Sequence, residues 1–242
     1  MKVLVACEES QAVTIELRKL GHEAYSCDLI DCSGGHPEWH IKQDVLPLIN
    51  GRCSFYTCDG IQHKILDKWD LLIAHPPCTH IASTGQWAYK KGKPISLRED
   101  GVNFFMKFIE ADCDKIAVEN PVGIMSTRYK KPTQIIHPWQ FGDEAEKTTC
   151  LWLKGLPKLE PTKIVGKGET FDYVNPKTGG IKHYPKWMMD ALKAKTPEER
   201  SRLRSKTFKG IAKAMAKQWT DDLLNKGDEW YDNNNLWTIK IN

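Results

Sequence analysis

Two short apolar runs that end abruptly in polar residues constrain the fold of this chain most strongly. The first covers residues 69–74 and leads into His-Pro-Pro-Cys at 75–78, and the second covers residues 116–118 and leads into Glu119-Asn120-Pro121. Both runs have the length and composition of buried strands. If the strands are parallel, their polar ends lie at the same edge of a sheet. The pattern therefore predicts a thiol and a carboxylate close together.

The residue types in these segments indicate catalysis. Pro76 and Pro77 have fixed φ angles and no amide hydrogen, so the strand must stop there and Cys78 lies on a stiff loop. A thiol held in this way can act as a nucleophile, while Glu119 can protonate a ring nitrogen and Asn120 can orient its neighbours. The alternatives are a buried thiol at a strand end and a carboxylate that caps a loop.

These motifs resemble those of a known family. Pro-Pro-Cys and Glu-Asn-Pro are similar to the Pro-Cys and Glu-Asn-Val motifs of DNA cytosine-5 methyltransferases, and His-Pro-Pro-Cys-Thr-His resembles small phage-borne relatives. The resemblance implies that Cys78 adds to C6 of cytosine, that C5 then takes a methyl group from S-adenosylmethionine, and that a base removes the C5 proton. It also implies that Glu119 contacts N3 and the exocyclic amine. The expected fold is α/β and Rossmann-like, a mostly parallel sheet with helices on both faces.

The family's motif order is found along most of the chain, beginning with a site for the cofactor. Residues 2–6 read as the first strand, and the loop at residues 7–11 opens a helix that runs to about Leu20 and stops at Gly21. In this loop Glu9 and Gln11 stand where the family has glycines, so the methionine part of the cofactor must be held differently. The resemblance predicts the following cofactor-binding residues: Ala6, Cys7, Glu8, Ser10, Asp28, Asp44, Pro76, Gly210 and Ile211.

Two of these acids are assigned to the nucleoside half of the cofactor. Asp28 follows the second strand, at the position where ribose hydroxyls are usually bound in nucleotide sites. Asp44 matches a family aspartate that accepts a hydrogen bond from the adenine amine.

The later motifs depart from the family pattern at one catalytic position. Residues 140–142 match an aromatic-Gly pair, and residues 146–153 match an Arg-x-Arg strand in which Lys147 replaces the first arginine and Thr149 the second. A neutral hydroxyl is a weaker donor to the cytosine O2 than a guanidinium. Residues 208–216 resemble the last motif, a glycine turn that opens a helix returning beside the cofactor loop.

The motif order predicts one catalytic core with a small insertion. Residues 1–154 and 206–225 form the methyltransferase core, and residues 155–205 form a reduced recognition region that reads as a hairpin or an irregular loop. So short a region makes few contacts with base edges, which predicts short or relaxed sequence preference. Residues 226–242 form a tail that alternates as an edge strand or docks on another copy.

Charge favours a DNA partner, and the resemblance implies a duplex with a flipped cytosine. The net charge of +4 is uneven, because residues 186–217 hold ten Lys or Arg against three acids, and such an excess favours a phosphate backbone. The alternative is a solvated helix face that starts at Thr196. After the nucleophile, residues 83–101 mix aromatics with lysines, as in a lid over an extruded base, or as in a loop pinned to the core. The predicted nucleic-acid-binding residues are Trp87, Tyr89, Lys90, Lys91, Arg202, Arg204 and Lys206.

Composition limits the other classes of protein. No apolar run approaches the roughly 20 residues of a membrane span, and no basic-then-apolar leader precedes the first strand, so we expect a cytoplasmic protein. The eight cysteines form no Cys-x-x-Cys pair, which indicates reduced thiols. Several histidines could be grouped with Cys32 or Cys78, but the spacing is not that of a closed zinc site, and no metal is predicted.

Two other functions remain open on the sequence. The same fold could act on RNA or on a free nucleotide, since almost no recognition region is present. A nucleic-acid-binding protein with a weakened site is the second alternative, suggested by the missing glycines and by Thr149.

Overall fold

The computed structural model describes residues 1–174 and 178–221. Its strands are β1 (Lys2–Ala6), β2 (Glu23–Asp28), β3 (His40–Lys42), β4 (Cys53–Tyr56), β5 (Gln62–Ile65), β6 (Leu71–Ala74), β7 (Ile116–Pro121), β8 (Gln134–Ile136), β9 (Thr149–Lys154), β10 (Thr170–Val174) and β11 (Ile181–Pro185). Its helices are α1 (Ala12–Lys19), α2 (Trp87–Lys90), α3 (Ile95–Ile109), α4 (Met125–Arg128), α5 (Met189–Lys193), α6 (Pro197–Ser205) and α7 (209–221).

A seven-stranded sheet in the order β3-β2-β1-β6-β7-β9-β8 organises the molecule. The first five strands in this order are mutually parallel, and β9 runs antiparallel to both of its neighbours. The predicted α/β fold with a mostly parallel, Rossmann-like sheet is confirmed.

Helices cover both faces of the sheet, as predicted. On one face α3 buries Phe105 and Phe108 against alternate residues of the central strands. On the other face α1 buries Leu17, and α7 buries Met215 and Trp219, against the remaining strand residues. Each such side chain contributes about 1.5–3 kcal/mol through removal from water. Helix α7 therefore returns to the face of β1 that α1 also covers.

The predicted first helix is confirmed, and its end has a clear cause. Helix α1 finishes at Lys19, and the chain turns at Gly21 with a φ of +82°. Only glycine adopts this left-handed conformation without steric cost.

The insertion contains more regular structure than its composition suggested. Strands β10 and β11 form an antiparallel hairpin, which decides between the hairpin and the irregular loop. Helix α6 follows, and the Thr196 side chain accepts a hydrogen bond of 3.1 Å from the Glu199 amide, as expected for an N-cap. The predicted tail at residues 226–242, and the last core residues 222–225, lie outside the described residues.

A second hairpin, β4–β5, lies between β3 and β6 in the chain and was not predicted. Phe55 from this hairpin packs edge-on against Tyr25, with ring centroids 5.0 Å apart. The contact extends the core of the α3 face beyond the main sheet.

Among the described residues, none of the helices is long and apolar enough to cross a membrane.

Candidate active site

Four side chains occupy one row at the carboxyl edge of the parallel strands. Ala6 pairs with Cys27 and with Ala74, and Ala74 pairs with Val118. The next residue on each strand is therefore at the same level, and these residues are Cys7, Asp28, His75 and Glu119. The chain leaves β1 toward β2 on one side and returns through β6 on the other. Ligands bind in α/β sheets at such a switch point.

The structure brings Cys78 close to Glu119. Burial raises the pKa of the Cys78 thiol and the negative charge of Glu119 raises it further, while the positive charges of Arg204 and Lys147 lower it. All three charged groups thus act on one thiol. The segment that carries Cys78 is fixed by Asn120, whose buried Nδ2 donates a hydrogen bond of 2.7 Å to the carbonyl oxygen of the buried Pro76.

Glu119 forms a buried pair with His75. The His75 Nδ1 lies 3.2 Å from the Glu119 Oε2, and the two side chains are only 10% and 16% exposed. Burial opposes ionisation of Glu119, but the hydrogen bond from His75 and the charge of Lys147 hold the pKa of its carboxyl below the usual value. Burial likewise opposes protonation of His75, but Glu119 and Glu8 together raise its pKa. The two groups therefore favour each other's charged forms, the imidazolium of His75 and the carboxylate of Glu119.

His75 was missed as a site residue by the sequence reasoning. The available signal was its position directly after β6, which corresponds to that of Glu119 on the neighbouring strand.

The two predicted residues of the Arg-x-Arg position lie beside Glu119. The Lys147 Nζ donates a hydrogen bond of 3.1 Å to the carbonyl oxygen of Arg204 and lies 5.9 Å from the ring centres of Trp187 and Phe208. Thr149 begins β9, is buried and pairs in register with Pro121. Lys147 therefore connects the core to the end of the insertion.

A cavity of about 10 Å³ separates these residues from the start of α7. This volume holds about one water molecule. It is lined by Glu119, Lys147, Thr149, Thr207, Phe208, Ile211 and Met215. A pyrimidine ring does not fit in this space, so a base that approaches Glu119 from this side must displace Phe208 and its neighbours.

Glu8, a predicted cofactor residue, is hydrogen-bonded to the first turn of helix α1. It is 3% exposed, and its carboxylate accepts hydrogen bonds from the Val13 amide at 2.7 Å, the Thr14 amide at 3.3 Å and the Thr14 hydroxyl at 2.7 Å. A carboxylate at a helix N-terminus is stabilised by these free amides. Burial nevertheless raises the pKa of Glu8, despite the charge of His75 and these bonds.

Gln11 holds the loop at residues 7–11, which the sequence predicts to bind the cofactor. It is fully buried with a φ of +58°, and its Nε2 donates to the Ser26 hydroxyl at 3.2 Å and to the His36 carbonyl at 2.9 Å. Its Oε1 accepts from the His36 amide at 3.1 Å. The side chain thus ties the loop to β2 and to residues 33–37.

The acids predicted for the nucleoside half surround Cys7. Burial raises the pKa of the Cys7 thiol, and the charges of Asp28 and Asp44 raise it further. Asp28 is half-buried, and its Oδ1 accepts hydrogen bonds from the amides of Leu29 and Ile30 at 2.7 and 3.3 Å. Asp44 is exposed and accepts from the Leu46 amide at 3.0 Å.

A cationic ligand fits the chemistry of this acidic group. The Oε2 atom of Glu9 is buried and has no hydrogen-bond partner among the described residues, and the Glu9 charge acts on Asp28. S-adenosylmethionine carries a sulfonium and an ammonium group, so the residues present suit it. Of the other predicted cofactor residues, Ala6 and Ser10 are buried near this loop.

Gly210 and Ile211 lie in the first turn of α7. The Gly210 amide donates a hydrogen bond of 2.8 Å to the Asp143 Oδ2, and a Cβ on Gly210 would lie 2.0 Å from the carbonyl oxygen of Phe141. Ile211 is 3% exposed. The aromatic-Gly motif at residues 140–142 and the last motif therefore contact each other directly.

The predicted nucleic-acid-binding residues form two groups. In the first, Trp87, Lys90 and Lys91 are exposed, and the Lys91 Nζ lies 5.1 Å from the Trp87 ring centre. Tyr89 is instead tied to the loop, because its hydroxyl lies 2.8 Å from the His80 Nδ1.

The second group consists of Arg202, Arg204 and Lys206, which are exposed at the end of α6. The positive charge of Arg204 acts on the Cys78 thiol. The first group of residues follows Cys78 in the chain, and the second acts on it through Arg204. Within residues 1–174 and 178–221, no cluster of three or more His, Cys, Asp or Glu side chains is arranged to hold a metal ion.

Comparison with known proteins identifies no family. No protein-family model matches this chain, and no curated protein matches it. It is similar to a crystal structure of a protein encoded within an Escherichia coli prophage and proposed to be a DNA modification methyltransferase, with 14% identity and a TM-score of 0.44. The similarity covers 69% of this chain and 52% of the other, so this chain spans about half of that structure. Inference about function therefore depends on the side chains at the carboxyl edge of the sheet.

Proposed function

We propose that this chain is a DNA methyltransferase that transfers a methyl group from S-adenosylmethionine to C5 of cytosine through a covalent cysteine adduct. The observation that carries this proposal is the convergence of the Cys78 thiol and the Glu119 carboxyl at the switch point of the sheet, with two cations beside them. A nucleophile and an acid at the same edge of a sheet suit addition to a flat, electron-poor ring.

The thiol needs activation before it can attack. Burial and Glu119 hold the pKa of Cys78 above its usual value, so the resting form is the thiol. Lys147 and Arg204 oppose this effect and stabilise the thiolate that adds to C6. Because Thr149 offers only a hydroxyl, these two cations are also the groups available to stabilise negative charge on the ring.

Glu119 is suited to contact the opposite edge of the base. A hydrogen bond to N3 and the exocyclic amine orients the ring, and a proton at N3 draws electrons from C6 toward C4 and N3. Asn120 holds the Pro76 carbonyl and thereby the spacing between this carboxyl and the sulfur.

The loop after β1 and the end of β2 would hold the cofactor, with Asp28 near the ribose and Asp44 near the adenine. When bound there, S-adenosylmethionine supplies an electrophilic methyl group next to the nucleophilic carbon. The buried Oε2 atom of Glu9 suits its ammonium group. Glu8 contributes by fixing the first turn of α1.

DNA is the substrate that the surface charges support. Arg202, Arg204 and Lys206 are exposed on one side of Cys78, and Lys90 and Lys91 follow it in the chain. Phosphate contacts of this kind give affinity without sequence readout. A cytosine inside a duplex cannot reach Cys78, so it must be flipped. The small hairpin β10–β11 supports the expectation of short or relaxed sequence preference.

Covalent trapping tests the proposal. In the presence of S-adenosylmethionine, a duplex that contains 5-fluorocytosine should form a complex that survives denaturation. After methyl transfer, fluorine cannot leave C5 as a proton does, so the sulfur–carbon bond persists. Cys78→Ala should form no complex, whereas Cys53→Ala, which lies on the separate β4–β5 hairpin, should form it normally.

A methyl-label assay with duplex DNA, RNA and dCTP distinguishes the substrates. Label in DNA that survives the Cys53→Ala change and disappears with Cys78→Ala supports the proposal. Label only in RNA or in dCTP would reject DNA as the substrate. The absence of label from all three would reject the methyltransferase.

A further inference from the structure

His75 is held more rigidly than a surface histidine. Its amide donates a hydrogen bond of 2.9 Å to the Ala6 carbonyl, and the following Pro76 restricts its backbone to extended conformations. Its Nδ1 lies 3.2 Å from the Glu119 Oε2. The ring is therefore fixed between β1 and β7 with one nitrogen on the proposed acid.

The second ring nitrogen is the unusual feature. The His75 Nε2 is buried and has no hydrogen-bond partner among the residues that the structure describes. A buried nitrogen without a partner costs free energy, so a structural histidine would normally have both nitrogens bonded. Among the described residues, the hydrogen bond of the ring is therefore made to Glu119 alone.

The charges that face His75 come from three parts of the chain. Glu119 on β7 and Glu8 after β1 are negative, and Lys147 before β9 is positive. Glu8 is committed to the amides and hydroxyl at the start of α1, so its carboxyl acts on the ring through space and not through a hydrogen bond. Glu119 is the only one of the three that shares a hydrogen bond with the ring.

We propose that His75 is a positioning residue that acts through Glu119, and that the His75–Glu119 pair holds the proton delivered to N3 of the pyrimidine. This inference rests on the proposed function and deepens it. The bond between Nδ1 and Oε2 leaves the other oxygen of Glu119 for the base.

The proton transfer balances within the pair. Before addition the pair holds one proton, shared between the His75 Nδ1 and the Glu119 Oε2, and the Cys78 thiol loses its own proton to solvent. The sulfur then forms a bond to C6, and the electron pair of the C5–C6 double bond moves toward C4 and N3. The shared proton passes to Glu119 and from Glu119 to N3, so His75 ends as a neutral imidazole and Glu119 as a carboxylate. When the adduct breaks down, the N3 proton returns to the pair.

The replacement His75→Asn distinguishes two roles of His75, the positioning of Glu119 and the holding of a proton for N3. An asparagine amide can donate to Glu119 from nearly the place of Nδ1, but it carries no titrating proton. In the wild type, single-turnover methyl transfer should fall as the pH rises through the titration of His75, above its ordinary pKa of about 6.5. In His75→Asn this fall should occur at least one pH unit lower, with about a tenfold slower rate at pH 7.

A purely structural role predicts a different result. The rate of His75→Asn would then be lower by the same factor at every pH, and this outcome would overturn the inference. The dissociation constant for S-adenosylmethionine and the thermal unfolding curve of each variant check that it is folded.

A second measurement needs no methyl transfer. In protein with labelled histidine, the NMR titration midpoint of His75 should lie above 6.5 in the wild type and should drop by at least one pH unit in Glu119→Gln, while His22 stays unchanged. An unmoved His75 midpoint would overturn the pairing. The midpoint could move as expected while the wild type forms no adduct and transfers no methyl group. That result would support the pairing of His75 with Glu119, but it would reject both proton delivery to N3 and the proposed function.

Discussion

The side-chain amide of Asn120 donates a buried hydrogen bond of 2.7 Å to the carbonyl oxygen of Pro76. The bond joins the ends of β6 and β7, which are separated by 44 positions in the sequence. It therefore fixes the distance between the loop that carries Cys78 and the strand that carries Glu119.

Replacing Asn120 with alanine should lower the free energy of unfolding by about 1–3 kcal/mol, because the Pro76 carbonyl loses its buried partner. Urea unfolding measures this change. Asn103→Ala is the matched control, since Asn103 is exposed on α3, and its effect should stay within about 0.5 kcal/mol. Equal stability of the two variants would show that the bond contributes little.

Gly210→Ala should destabilise the contact between α7 and the loop at residues 141–143. The added Cβ would lie 2.0 Å from the Phe141 carbonyl oxygen, and the backbone shift that relieves this clash costs about 1–3 kcal/mol. Thermal unfolding gives the comparison with Gly166→Ala, where a Cβ meets nothing within 4 Å. A Gly210→Ala protein as stable as Gly166→Ala would contradict the close approach.

Arg204→Ala should slow alkylation of Cys78 by iodoacetamide. Without the positive charge the pKa of the thiol rises further, and the thiolate fraction at pH 8 drops by about two- to tenfold. Glu119→Gln should have the opposite effect, because a negative charge is removed. Peptide mapping by mass spectrometry reports the rate at Cys78 alone. Arg202→Ala, the control on the same helix, should react like the wild type, and equal slowing in both variants would argue against a specific role of Arg204.

Asp28→Asn should weaken binding of S-adenosylmethionine. The loss of a charged hydrogen bond at the end of β2 corresponds to about a tenfold higher dissociation constant. Calorimetry tests this without any nucleic acid. Asp67→Asn changes an exposed carboxylate just before β6, at the opposite edge of the sheet, and should bind normally. An unchanged constant in Asp28→Asn would place the ribose elsewhere.

The position of the central strands could be predicted from the sequence because it depends on local pattern. Apolar runs at residues 69–74 and 116–118 predict strands β6 and β7, Pro76 predicts the end of β6, and Gly21 predicts the end of α1. Parallel pairing then follows from the alternation of strands and helices. These rules led to the confirmed α/β fold and to the expectation that Cys78 and Glu119 share an edge, whose catalytic roles stay predictions.

The contacts of individual side chains could not be predicted in this way. The residues next to Glu8 in the sequence do not show that its carboxylate accepts a hydrogen bond from the Val13 amide. The residues next to Gln11 do not show that its side-chain amide bonds to His36 and so holds the loop. Both outcomes depend on which atoms lie within hydrogen-bond distance after the chain has folded.

The sequence by itself determined the central strands, the first helix and the residues available for chemistry, because hydrophobic periodicity and proline and glycine geometry act over a few residues. Only the tertiary structure decided that His75 pairs with Glu119, that Arg204 acts on Cys78 and that Phe208 lines the small cavity beside Glu119. These relationships join residues far apart in the chain. The charges of His75 and Glu119 interact strongly because the folded sheet edge shields this pair from water.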